Sequence, residues 1–243
     1  MERITQNDVE DFQTNDFRSD YRLRALQKML PSIKEKVLDI GSGNGEIAIY
    51  LSRKAKITYA TDYSTALVKL LKKKVNNIPR LRVLRLNAVN FSLKEKDFSL
   101  ITACDVAEHL EDDDAFFRNC FNHLKKNGLL FVSVPAGRLL YGIRDKRYGH
   151  FRRYEKKELE EKIRMAGLRI IGLHYWNLIG VVPYWISEKV MRKALIGPAR
   201  KVEQNICSYL VNQCLYIWLS IESKIKWLPF GLSLIVLAKK DNK

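Results

Sequence analysis

An acid and a run of glycines stand early in this chain: Asp39-Ile40-Gly41-Ser42-Gly43-Asn44-Gly45. The apolar pair Val37-Leu38 precedes them, and a helical pattern (Ile47, Ala48, Leu51) follows. Glycine tolerates positive φ and lets a ligand touch bare backbone. A helix start beyond it offers N–H groups with no internal partner. Such a turn suits a nucleotide-like ligand at the C-terminal edge of a parallel sheet. The spacing is G-x-G-x-G rather than the G-x-G-x-x-G of dinucleotide sites, and no GK[ST] occurs, which argues against NAD and P-loop chemistry. Asp62 lies seventeen residues past Gly45, where a carboxylate accepts hydrogen bonds from both hydroxyls of a ribose. Histidine titrates near neutrality, so the candidate general bases are His150, then His109, then Asp145. Arg152 and Arg153 offer planar bidentate donors for a phosphate or carboxylate, with Tyr154 beside them. Plainer readings stand next to these. Asp62 caps a loop, His150 holds Tyr154 or a backbone carbonyl, and the arginines form a solvated face.

The elements that must position these residues alternate along the chain. Strands are expected at 36–40, 56–61, 82–86, 97–103, 129–134, 168–174 and 231–239. Helices are expected at 17–30, 45–54, 64–75 with Ser64 as N-cap, 112–125 and 155–166. Asp112, Asp113 and Asp114 suit a helix N-terminus, Asn127-Gly128 reads as the end of that helix, and Pro135 closes the fifth strand. Strands alternating with helices imply right-handed βαβ units and a parallel sheet covered on both faces. Residues 136–154 form a loop between the fifth strand and the next helix. The whole chain reads as one α/β domain, residues 1–243, elaborated by a segment over 175–230 that carries all four Trp and helical patterns near 183–196 and 199–226.

The net charge is +16. That favours anionic partners: phosphate groups, nucleic acid or an acidic membrane surface. Between Arg144 and Lys157 seven basic residues face two acids, interleaved with Tyr148, His150, Phe151 and Tyr154. The four Cys include no C-x-x-C pair, and Cys207 and Cys214 share a helix face, as reduced thiols of a cytosolic protein would. The polar, acidic N-terminus (Glu2, Asp8, Glu10, Asp11) argues against a secretory signal. Residues 170–187 hold no formal charge, but His174, Asn177, Pro183 and two Gly argue against a membrane-spanning helix.

Taken together, these motifs resemble those of class I S-adenosylmethionine (SAM) methyltransferases. The Asp39 to Gly45 turn resembles their first motif, and Asn87-Ala88 stands where Asp-Ala is usual, its amide oxygen able to accept from the adenine amino group. Cys104-Asp105-Val106-Ala107-Glu108-His109-Leu110 looks like the E-H-L segment of methyltransferases related to ubiquinone-pathway O-methyltransferases. Some of these hold a divalent cation on an acid-x-x-Glu-His set, which Asp105, Glu108 and His109 match; oxygen donors would suit Mg²⁺. In metal-free relatives the same segment shapes the cofactor pocket. Val134-Pro135-Ala136, Asp145, Gly149-His150-Phe151-Arg152-Arg153-Tyr154 and Glu158-Leu159 resemble a signature of methyltransferases found among glycan- and lipid-biosynthesis enzymes. Tyr141, Gly142 and Arg144 depart from it.

The resemblance implies a Rossmann-like seven-stranded sheet with an antiparallel last strand. The implied cofactor is SAM, held by Asp39, Gly41, Gly43, Asn44, Asp62, Tyr63, Asn87, Ala88, Cys104 and Asp105. Methyl transfer to oxygen, less readily to nitrogen, of a small-molecule, glycan- or lipid-linked anionic acceptor is expected, with Arg152, Arg153 and Tyr154 on the acceptor side. The protein is expected to be cytoplasmic. Its 175–230 segment would serve as a lid, as a peripheral membrane contact or as a homodimer face. An RNA or DNA methyltransferase and a non-enzymatic SAM-binding membrane-surface protein are the alternatives. Nucleic acid is the weaker partner, because no N/D-P-P-Y/F motif is present.

Overall fold

The computed structural model describes residues 17–31, 33, 35–91, 93–192, 218, 222 and 228–241, with side chains from Arg22 onward. The strands are β1 (Lys36–Ile40), β2 (Ile57–Asp62), β3 (Leu81–Arg85), β4 (Phe98–Cys104), β5 (Leu124–Pro135), β6 (Leu168–Trp176) and β7 (Ser233–Lys240). They form one sheet in the order β3-β2-β1-β4-β5-β7-β6. β7 runs antiparallel to both β5 and β6, whereas the β1–β2, β1–β4, β2–β3 and β4–β5 pairs are parallel. This is the Rossmann-like methyltransferase sheet with an antiparallel last strand.

Helices cover both faces because successive strand residues point to opposite sides. Leu38, Ile40, Ile101, Leu130, Val132 and Val134 join one core, with Phe116, Phe117 and Cys120 of α4 (Asp113–His123) and Leu159 and Ile163 of α6 (Lys156–Met165). Val37, Leu100, Phe131, Ile235 and Leu237 point the other way, against Ala25 and Leu26 of α1 (Phe17–Met29) and Leu51 of α2 (Glu46–Ser52). α3 (Thr65–Lys74) packs Val68 and Leu71 on β2 and β3, and its N-cap Ser64 accepts from Leu67 N–H at 3.3 Å. Strand order reverses between β1 and β4. In such sheets ligands bind at the C-terminal ends beside the reversal, where the glycine turn and Asp105 both emerge.

Three boundaries differ from the sequence reading. α4 stops at His123 and the chain enters β5 at once. Leu124 pairs with Phe98 and Leu129 with Leu100, so residues 125–128 bulge between the two pairs. Asn127 adopts φ 63 there, and a Cβ on Gly128 would lie 2.8 Å from two backbone oxygens. Asn127-Gly128 therefore shapes a bulge in the strand rather than a helix end. Within the 136–154 loop the chain forms a 3₁₀ turn (Arg138–Leu140) and a short helix α5 (Ile143–Arg147). Of the 175–230 segment, the first part forms α7 (Val181–Trp185), which continues into a π-helical turn (Ile186–Val190). Trp218 and Glu222 are helical; the rest of the 199–226 pattern, with Cys207 and Cys214, lies outside the described residues, as do the N-terminal acids. No helix among the described residues is long and apolar enough to cross a membrane.

Candidate active site

The turn after β1 is stitched to the end of β2. Gly43 N–H donates to Asp62 Oδ2 at 3.1 Å, Ser64 N–H to Asp62 Oδ1 at 2.9 Å, and Ser42 N–H to the Thr61 carbonyl at 2.8 Å. Burial pushes the Asp62 carboxyl up, and the donors from Ser64 and Gly43 pull it back. Gly41, Gly43 and Gly45 have φ of 69, 51 and 83. A Cβ on Gly41 would meet Val106 Cγ2 at 2.4 Å, and one on Gly45 would meet Leu71 Cδ1 at 2.3 Å. The protein's own packing thus accounts for two of the three glycines.

Asp39 does not reach this edge. It is 2% exposed and accepts from Thr102 Oγ1 at 2.5 Å, across to β4. Burial pushes its carboxyl up to about 6, against the hydrogen bonds from Thr102 and Ser42. Asn44 spends its amide on Glu46, with Nδ2 donating to Oε1 at 2.9 Å. Tyr63 is exposed beside Asp62 under the Arg85 guanidinium. Asn87 Oδ1 accepts from Val89 N–H at 3.1 Å, so the oxygen expected to meet an adenine amino group is turned to its own backbone. Ala88 is buried beneath it.

At the end of β4, burial pushes the Cys104 thiol up to about 12, so it stays protonated. Asp105 takes φ 53 and donates its N–H to the Ser133 carbonyl at 2.9 Å. Its carboxylate pairs with Arg22, projected by α1. Arg22 escaped the sequence reading, which saw only a basic helix before β1. The pair sets a positive and a negative charge beside the glycine turn, complementary to the carboxylate and ammonium of an amino acid.

Beyond Asp105 a 3₁₀ turn (Ala107–His109) buries Glu108 completely. Burial pushes this carboxyl up to about 8, and neither of its oxygens has a hydrogen-bond partner among the described residues. Burial and the neighbouring His150 push His109 down to about 4, against a hydrogen bond to the Gly149 backbone that pulls it back, so it is neutral at physiological pH. Its ring meets His150 edge-on at 4.6 Å. Donor atoms of Glu108, His109 and His150 lie within 4.8 Å of one another, while Asp105 is occupied by Arg22. Of the set considered for Mg²⁺, Glu108 and His109 thus come together with His150 rather than with Asp105. Two imidazoles and one carboxylate do not fit a cation that takes oxygen ligands.

His150 is held from behind. Its Nδ1 lies 2.8 Å from Asp145 Oδ1. An ionised carboxylate only accepts, so Nδ1 carries the proton and Nε2 is left as the acceptor. Burial raises the Asp145 carboxyl, but hydrogen bonds from His150 and Arg153 outweigh it and hold it near 2. Asp145 is thus an orienting group rather than a base.

Arg153 and Tyr154 also move from their expected places. Arg153 is buried, donating to Asp145 Oδ2 at 2.8 Å, the Ala136 carbonyl at 3.2 Å and Tyr184 Oη at 2.6 Å. Tyr154 is fully buried and donates to Asp113 Oδ2 at 2.7 Å. Arg152 pairs with Asp113 at 2.8 Å and donates to the Glu111 carbonyl at 2.7 Å. Arg152 and Tyr154 fasten the loop to Asp113 of α4, and Arg153 ties it to the Ala136 carbonyl and to Tyr184 of the segment after β6. A cavity of about 440 Å³ lies outside them, lined by Arg138, Tyr141, Phe151 and Glu158 with the two arginines.

Residues 38–132 match the family model of a methyltransferase domain, from the β1 core through β5. That match and the relatives below support a class I SAM-dependent methyltransferase. It is 30% identical over 110 residues to a Mycobacterium tuberculosis protein named as a SAM-dependent methyltransferase, covering 45% of this chain and 39% of that protein. The chain therefore spans well under half the length of that relative. It is 24% identical over 178 residues to the ubiquinone biosynthesis O-methyltransferase of Coxiella burnetii, covering 65% of this chain and 74% of the relative. Among solved structures, the Haemonchus contortus phosphoethanolamine N-methyltransferase 2 in complex with SAM shares the fold. Its TM-score is 0.65 at 16% identity, over 98% of this chain and 58% of that one.

Proposed function

We propose that this methyltransferase moves a methyl group from SAM to an oxygen of a small-molecule, glycan- or lipid-linked acceptor, with His150 taking the proton. The observation that carries the reading is the meeting of the Asp145–His150 pair with His109, four residues past the Asp105–Arg22 pair. Bound SAM supplies a methyl already activated on a sulfonium, so positioning and proton removal remain for the protein. Asp62 accepts from the ribose, Tyr63, Asn87 and Ala88 border the adenine, and Gly41, Gly43, Asn44 and Cys104 line the cradle. Arg22 and Asp105 match the amino-acid end. Nε2 of His150 receives the acceptor's hydroxyl proton while Asp145 balances the imidazolium. General-base help of this kind is worth about 10²–10⁴-fold. The name of the Coxiella relative also favours oxygen over nitrogen.

Lys146, Arg147 and Lys157 are exposed in the acceptor-side loop and α6, which supports an anionic acceptor. Val182, Trp185, Ile186, Val190 and Met191 are exposed near Lys189 and Arg192, which supports peripheral contact with an anionic membrane. Calorimetry with SAM, and with NAD as control, tests the cofactor. Tritiated methyl transfer from SAM into a lipid extract, run beside bulk tRNA, tests the acceptor class. Label in the organic phase is expected. Label in tRNA would favour the nucleic-acid alternative, and binding of NAD without SAM would overturn the whole reading.

A further inference from the structure

The Asp145–His150 pair is not held by its own loop alone. Tyr184, on α7, donates from its hydroxyl to Asp145 Oδ2 at 3.1 Å and accepts from Arg153 Nη2 at 2.6 Å. The same guanidinium lies over its ring, 4.5 Å from the centroid. One turn on, Glu188 Oε2 accepts from Ile143 N–H at 2.6 Å and Arg144 N–H at 3.3 Å, at the start of α5. Room for that carboxylate exists because residue 142 is glycine. A Cβ there would lie 2.3 Å from Glu188 Oε2. Lys189 Nζ donates to the Tyr141 carbonyl at 2.8 Å. A short helix in the segment between β6 and β7 thus grips the base-bearing loop at five residues: Tyr141, Ile143, Arg144, Asp145 and Arg153. Its Tyr184, Ser187 and Glu188 are buried.

The geometry points to Tyr184 as a positioning residue for His150, acting through Asp145, with Glu188 holding the loop backbone in register. This rests on the reading of His150 as the base. Asp145 has two oxygens and one task, which is to keep Oδ1 aimed at Nδ1–H. Arg153, Gly142 N–H and Tyr184 tie down Oδ2 at 2.8, 3.0 and 3.1 Å. Without the tyrosine hydroxyl, Arg153 loses an acceptor and the carboxylate loses one of three restraints, so it can rotate and release the imidazole. His150 would then populate both neutral tautomers, and only the Nδ1–H form offers Nε2 to an acceptor. The other groups facing that ring are His109 and Glu108 from the turn after β4 and Tyr148 from the end of α5. None of them is altered by the substitution.

The test reads His150 directly and needs no acceptor. Long-range ¹H–¹⁵N correlation spectra of ¹⁵N-histidine-labelled full-length protein, assigned with His150→Gln, give the tautomer. In the wild type, neutral His150 is expected as a single Nδ1–H tautomer. Tyr184→Phe is expected to give a mixture of the two neutral tautomers, in the same direction as but smaller than the mixture Asp145→Asn gives. SAM affinity should stay within twofold. A Tyr184→Phe protein with lowered melting temperature but an unchanged His150 spectrum would overturn the proposal and leave Tyr184 a packing residue. A wild type with neutral His150 protonated on Nε2 would instead sink the reading of His150 as an oriented base, whatever Tyr184 does. If Tyr184→Phe fails to fold, Glu188→Gln and Gly142→Ala loosen the same loop and are read against the same two outcomes.

Discussion

The two halves of the site are built by different means. On the cofactor side, the glycine turn, Asp62 and Asp105 sit at strand ends, and the bonds that fix the turn join residues about twenty apart, such as Gly43 to Asp62 and Thr61 to Ser42. Each has a backbone N–H as its donor, so the strand ends themselves place the groups. On the acceptor side, residues 136–154 are secured by side chains from distant parts of the chain. Asp145 meets Tyr184 39 residues away, Tyr154 meets Asp113 41 away, and Ile143 meets Glu188 45 away. A site made this way keeps a constant cradle while its loop depends on whatever segment is packed against it. The comparison also separates their electrostatics. The loop half rests on buried charges that must all be paired, while the cradle tolerates partly exposed ones.

Mutations should divide along that line. The largest effect is expected at Asp145→Ala. It leaves the buried Arg153 guanidinium without its carboxylate, and breaking such a pair costs about 3–5 kcal/mol. Urea unfolding should show this loss, with SAM affinity of the folded fraction nearly unchanged. A loss below about 1 kcal/mol would erase the contrast between the halves.

Gly43→Val should do the reverse. A β-branched residue at φ 51 is strained, and its side chain occupies the cradle. Calorimetry should find SAM binding weakened at least a hundredfold, by about 2.7 kcal/mol or more, while most of the stability is kept. Arg22→Ala should weaken SAM by about 1–3 kcal/mol, the worth of a hydrogen bond to a charged group. The same variant should bind 5′-methylthioadenosine, which lacks the amino-acid end, as the wild type does. Equal losses for both ligands would remove Arg22 from the methionine end. Asp62→Ala should weaken both ligands alike, because both carry the ribose.

The pH dependence sharpens the comparison further. Glu108 is buried with its carboxyl near 8 in the folded chain against an ordinary 4.5. The folded state therefore holds a proton that the unfolded chain releases between those values. By linkage, this group's contribution to stability falls as pH rises from about 4.5 to about 8. Glu108→Gln, which cannot ionise, should gain on the wild type steadily across that range and plateau above it. His109 acts on the acid side: near 4 when folded and 6.5 when free, it withdraws stability as pH falls through that window. Denaturant unfolding at pH 5 and pH 8.5 measures both. A Glu108→Gln advantage that does not grow with pH would mean that the carboxyl is ionised in the folded protein. The smallest effect is expected at Asn87→Asp. Its side chain is exposed and already caps Val89, so SAM affinity should change less than fivefold.

Much of the cradle was legible because its signals are local. A three-glycine turn after an apolar strand, an acid at the end of the next strand, and strands alternating with helices each follow from short stretches of chain. Backbone geometry then converts them into a sheet edge. Ser64 as a cap is of the same kind. The bulge at Asn127-Gly128 was misread because a helix end and a strand bulge ask for the same residues, and only the pairing of Leu124 with Phe98 separates them.

The acceptor side was legible in its residue types but not in their roles. That Asp145, His150, Arg152, Arg153 and Tyr154 belong together followed from their spacing. Which of them faces outward did not, since an arginine is equally suited to a ligand and to a buried carboxylate. Only packing placed Asp113 under Tyr154 and Arg152, Tyr184 against Asp145, and Arg22 beside Asp105. Those partners lie scores of residues apart in the chain, and no sequence period links them. The sequence by itself determined the sheet and the turn. The tertiary structure decided which charges are buried together, and with that which histidine nitrogen remains to take a proton.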